Sequence, residues 1–102
     1  MKTQAEKDQG SGADLTVRVE NLDNGRTESF NAGPGTPVST IIGRLYNSPK
    51  LGTGAQKPGD RLVCKGSGED VFQFQSLHLR DYQQKANCAD LVWSFSGPTG
   101  GA

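Results

Sequence analysis

The chain predicts an α+β fold, a mixed sheet of four to five strands packed on one helix, and three observations carry that prediction. Leu15, Val17 and Val19 alternate with Thr16, Arg18 and Glu20, and an Asn24-Gly25 pair then leads into a second extended run. Val38, Ile41, Ile42 and Leu45 recur at i, i+3, i+4 and i+7. The most apolar alternation, Ala89, Leu91, Trp93 and Phe95, comes last. A period of two is a half-buried strand and a period of 3.6 is an amphipathic helix, so one short chain holds both. At 102 residues there is room for one domain with a modest core.

The elements follow in order. Residues 1 to 13 mix Lys, Gln, Glu, Asp, Gly and Ser with almost nothing to bury, which makes them a flexible extension ahead of a folded domain over 14 to 96. Leu15 opens the first strand. Asp23-Asn24-Gly25 suits a type I′ hairpin turn, so Arg26 to Ala32 returns antiparallel with Phe30 inward. Thr36 is the candidate N-cap and Pro37 the first residue of a helix that ends before Pro49. The stretch from Ser48 to Asp60 has turn chemistry and no periodicity. Arg61 to Lys65 reads as a strand with Leu62 and Cys64 on one face and Val63 on the other, and Val71 to Phe74 as a further short strand. The segment around Leu79-Arg80-Asp81-Tyr82 reads as a turn with one helical turn in it, and the closing strand, with Trp93 in the core, belongs in the middle of the sheet.

Composition excludes several classes of function. Eleven basic and eleven acidic side chains cancel, leaving no field of one sign to draw the chain to nucleic acid or anionic lipid. There is no apolar run of membrane-spanning length and the first residues carry no apolar segment of the signal-peptide kind, so a cytoplasmic location is expected. Cys64 and Cys88 lack the spacing of a zinc site and are read as buried thiols in preference to a disulfide; no metal and no bound cofactor are expected. His78 is remote from both cysteines in sequence. Without a carboxylate pair, phosphate loop or nucleophile triad, the chain does not read as an enzyme and no catalytic residues are expected in it.

At this point several stretches together resemble a known family, the ubiquitin-like modifiers of the β-grasp fold. LTVRVENL with its Asn-Gly turn resembles the opening hairpin, PGDRLVCKG resembles the third strand with its lead-in, LRDYQ resembles the Asp-Tyr turn, and SFSGPTGGA places a glycine pair after the last strand. The resemblance covers about residues 14 to 101. It implies that the Gly101 carboxylate is adenylated with ATP on a partner activating enzyme, passed as a thioester to a conjugating enzyme, and joined to an amine of a target protein. Glycine suits such a terminus because a residue without Cβ lets the backbone enter a narrow site. Gly100 would be the clearance residue, residues 97 to 99 a flexible arm, and Ala102 a block that a metal-dependent, deubiquitinase-like peptidase removes. Where many relatives carry arginines before the pair, this chain has Gly97-Pro98-Thr99. The distance from eukaryotic ubiquitin suggests a bacterial conjugation system of the kind linked to antiviral defence.

Alternatives stand beside this reading. Glycine is 14 of 102 residues, so a pair near the end also arises from composition. A sulfur carrier ending in a thiocarboxylate uses the same adenylation, and a ubiquitin-like interaction module needs no activation. Val63 and Val92 point away from the helix and form either a partner-binding patch or two ordinary exposed aliphatics. Lys2 and Lys7 are candidate acceptors for another copy of the modifier; Lys50, Lys57, Lys65 and Lys85 are further surface lysines.

Overall fold

A computed structural model describes residues 14 to 98. Strand β1 spans Leu15–Asn21 and β2 spans Arg26–Ala32; helix α1 is Val38–Tyr46, β3 is Arg61–Cys64, α2 is Leu79–Lys85 and β4 is Val92–Ser96. The sheet has four strands in the order β2-β1-β4-β3. β1 pairs antiparallel with β2, from Leu15 opposite Ala32 to Asn21 opposite Arg26. β4 lies between β1 and β3, parallel to β1 and antiparallel to β3. The expected architecture is therefore present, with the last strand central. A strand on each side, with Trp93 and Phe95 buried, accords with its strongly apolar sequence.

The period-two reading of β1 is exact in its consequences. Val17, Val19 and Asn21 are buried while Thr16 and Arg18 are exposed, so an asparagine occupies the third inward position. Helix α1 buries Val38, Ile41, Ile42 and Leu45, the four residues at helical spacing. These pack with Phe30, Leu62, Trp93 and Phe95 in one apolar cluster. Leu51, in the stretch without periodicity, is fully buried in the same cluster.

Several expectations are corrected. The hairpin turn is not type I′: four residues, 22 to 25, connect the strands, and of these only Gly25 takes a positive φ, 76°. The Gly25 N–H donates to the Asn21 carbonyl at 2.8 Å, so the turn is a longer one with glycine in its left-handed position. Pro37, not Thr36, is the N-cap of α1, with no side-chain cap, because the Thr36 carbonyl instead accepts the Leu79 N–H at 2.9 Å. Val71–Phe74 is a 3₁₀ turn and not a strand; the Asp70 carboxylate caps it by accepting the Phe72 N–H at 3.0 Å. Only one bridge, Val63 to Asp70, continues the sheet there. The second helix is longer than one turn. β4 begins at Val92 and not Ala89, because Leu91 sits at φ 54° and breaks the extended run.

The cysteine reading is also corrected. Cys64 and Cys88 are joined as a disulfide, with Cα atoms 6.0 Å apart and a sequence separation of 24. Both ends are buried. Tertiary packing brings the end of β3 against the loop after α2, a proximity that no spacing rule reads from the chain.

Candidate functional site

The C-terminal arm leaves the sheet from the end of β4, and its first two residues are held by neighbours distant in sequence. The Gly97 N–H donates to the Asp23 carboxylate at 2.9 Å. A Cβ on Gly97 would lie 3.2 Å from that same carboxylate and 3.8 Å from Oδ1 of Asp60, so glycine suits the approach. Pro98 packs on Gly59, whose φ of 90° requires glycine and whose missing Cβ would stand 3.3 Å from the proline ring. Gly97 and Pro98, the first two residues of the expected arm, thus have neighbours at this end of the sheet.

The residues that hold it are themselves tied down. Asn21 donates from Nδ2 to the Leu51 carbonyl at 2.9 Å, and its Oδ1 accepts the Asp23 N–H at 3.0 Å. Asn24 donates to the same Leu51 carbonyl at 3.0 Å, and its Oδ1 accepts the Arg26 N–H at 2.9 Å. The buried asparagine therefore has partners for both ends of its amide, as burial demands. The Leu22 N–H donates to the Phe95 carbonyl at 2.8 Å, fixing the hairpin turn against β4. On the other side, Asp60 Oδ2 accepts the Tyr46 hydroxyl at 2.7 Å and the Lys57 N–H at 2.9 Å. Burial, then the hydrogen bond and charge of Asp60, push the Tyr46 phenol well above its ordinary range, so it stays a donor. Tyr46 also stacks edge-on against Phe95 at 5.8 Å between ring centres.

Gly100, Gly101 and Ala102 lie outside the described residues, as do Lys2 and Lys7. Val63 and Val92 are described. Both are half-buried on the sheet face away from the core, as the alternation requires. Val63 lies opposite Ser94 and Val92 opposite Arg18, so the valines are diagonal neighbours across β3 and β4. Arg18, Arg61 and Lys65 are exposed around them. The pair is a small apolar spot in a charged surround and not a broad apolar face.

Sequence reasoning passed over the carboxylates and amides of this pole. A signal was available: Asn21 falls in the inward register of β1, and a polar residue there must find partners. It also passed over an open groove of about 610 Å³ between β2 and the end of α1, lined by Glu28, Phe30, Thr40, Arg44, Asn47 and Lys50. Arg44 donates to the Asn31 carbonyl at 2.8 Å, occupying a backbone acceptor of the edge strand.

No protein-family model and no curated protein matches this sequence. Among solved structures, the solution structure of the UBL domain of yeast Ddi1 is similar, with a TM-score of 0.59 and 14% identity over 90% of this chain and 98% of that one. With the mixed sheet and packed helix, the likeness establishes a ubiquitin-like β-grasp fold of the α+β class.

Proposed function

We propose that the chain is a ubiquitin-like protein modifier made as a precursor. A peptidase cut after Gly101, here before Ala102, releases the glycine carboxylate; an activating enzyme adenylates it with ATP, a conjugating enzyme carries it as a thioester, and an amine of a target protein accepts it. The observation that carries the reading is the Gly100-Gly101 pair a few residues past the central strand of a ubiquitin-like fold. The anchoring of Gly97 by Asp23 and of Pro98 by Gly59 supports it, because residues that must enter a partner's narrow site gain from starting at a fixed point. Activity as a carrier and not an enzyme, a cytoplasmic location and a bacterial defence-type system belong to the same proposal. In that compartment the thiol pool favours the dithiol form of Cys64 and Cys88.

Balanced chemistry makes the test direct. Adenylation joins the Gly101 carboxylate to the α-phosphate and expels pyrophosphate; a cysteine thiolate then displaces AMP. Mass spectrometry of the chain incubated with candidate peptidase, activating enzyme and ATP should show loss of Ala102 and a thioester-linked complex sensitive to thiols. Gly101→Ala should abolish the complex while leaving the fold intact. Retention of Ala102 with no thioester overturns the proposal. Gain of one sulfur at Gly101 identifies a sulfur carrier instead, and full biological function of Gly101→Ala identifies an interaction module that is never activated.

A further inference from the structure

The pole of the sheet opposite the arm carries a cluster that conjugation chemistry does not use. Cys64 ends β3 and Cys88 follows α2, and the carboxylate of Asp90 lies with both sulfurs in a set of ligand atoms all within 4.8 Å of one another. The sulfurs are buried, whereas Asp90 is exposed, so the cluster is open to solvent from the aspartate side. The backbone around it is held by bonds that do not involve sulfur. The Cys64 N–H donates to the Glu69 carbonyl at 2.9 Å, the Gly68 N–H to the Cys64 carbonyl at 2.7 Å, and the Cys88 N–H to the Gln83 carbonyl at 2.9 Å. Ser67 Oγ donates to the Ala86 carbonyl at 2.8 Å, bridging the two loops directly. Opening the disulfide therefore removes a covalent link but leaves both cysteines positioned.

We propose that the reduced chain binds one thiophilic divalent cation of the zinc class through Cys64 Sγ, Cys88 Sγ and the Asp90 carboxylate. A cellular dithiol supplies two electrons and two protons, becoming a disulfide itself while Cys64 and Cys88 become thiols. The incoming cation displaces both thiol protons and is held by two thiolates and a carboxylate, leaving a fourth position for water or another ligand. Tetrahedral zinc with bonds near 2.3 Å separates two thiolates by roughly 3.8 Å. With Cα atoms 6.0 Å apart, the site requires side-chain rotation to reach that spacing. Two sulfur ligands select zinc over calcium and magnesium, which require oxygen. The consequence is that β3 and the loop after α2 stay tied in either redox state, by sulfur to sulfur when oxidised and by sulfur to metal when reduced. This inference is independent of the fate of Gly101.

The test uses cobalt(II) as a spectroscopic stand-in for zinc, titrated anaerobically into the reduced full chain after removal of the reductant. One cobalt per chain is expected, with thiolate-to-cobalt charge transfer in the near ultraviolet, tetrahedral d–d bands in the visible, and displacement of both by zinc. The oxidised chain should show none of these. Even partners of metal ligands are worth about 10-fold to 100-fold in affinity, so Asp90→Asn, at an exposed position, should weaken binding by about tenfold or more with unchanged circular dichroism. Absence of the bands from the reduced chain overturns the proposal, as does equal affinity in Asp90→Asn. Where reduction alone loosens the fold, recovery of the native circular dichroism on adding zinc supports the site, and failure to recover it counts against it.

Discussion

The two ends of the sheet are closed by different chemistry. At one end, where β1 and β4 finish and β2 and β3 begin, closure rests on neutral amides and carboxylates: Asn21 and Asn24 on the Leu51 carbonyl, Asp23 on Gly97, Asp60 on Tyr46. At the other, where β3 finishes and β4 begins, it rests on the sulfurs of Cys64 and Cys88, with Ser67 to Ala86 as a polar supplement. Such hydrogen bonds are individually modest and can reform, which suits the pole from which the proposed reactive tail would leave. A covalent or metal link constrains the unfolded chain as well as the folded one, which suits the pole that has only to stay shut.

The comparison can be broken from either end. The largest effect should come from the sulfur pole. Replacing both Cys64 and Cys88 with alanine, in chelator, should lower stability by about 3 kcal/mol through loss of the cross-link, read as the shift in a urea unfolding curve. Next comes the buried amide. Asn21→Ala strands the Asp23 N–H and withdraws one donor from Leu51, and should cost about 2 kcal/mol in the same assay. A loss no greater than that of an exposed substitution would mean that the polar pole is closed by Asn24 without it.

Tyr46→Phe should cost about 1 kcal/mol, since it removes one donor from Asp60 while keeping the ring on Phe95. It also sharpens an alkaline prediction. Burial raises the phenols of Tyr46 and Tyr82 in the folded chain, while the unfolded chain titrates near 10, so the unfolded state loses its protons first. Their contribution is complete below about pH 10 and is lost as pH rises from there, and Tyr46→Phe should flatten part of that decline. The smallest effect on stability should come from Asp23→Ala, an exposed position. Its unfolding midpoint should stay within error, yet hydrogen exchange at the Gly97 amide should lose its protection. Retained protection would show that Pro98 against Gly59 holds the arm unaided.

Much of the frame was legible because it is written in periods. The inward valines of β1, the four core positions of α1 and the central place of β4 follow from apolar spacing, and the return of β2 from the glycine-bearing turn. The misreadings fall where local hydrogen bonding or backbone conformation overrides that spacing. Asp70 capping a 3₁₀ turn displaced the expected strand at Val71, and the positive φ of Leu91 delayed β4. Leu51 was illegible because a single core residue in a loop has no period. For the candidate site, the sheet positions of Val63 and Val92 came from alternation, whereas their charged surround depends on which strands pair.

The sequence by itself determined the order of the four strands and of α1, the faces they bury and the glycine pair that the proposed chemistry needs, because backbone geometry imposes its repeat on residues close in the chain. Only the tertiary structure decided that Cys64 meets Cys88 across 24 residues, and that Asp23 meets Gly97 across 74. Such meetings depend on strand order and on how loops close over the core. A period constrains the face a residue occupies, and it carries no information about which distant residue arrives at the same end of the sheet.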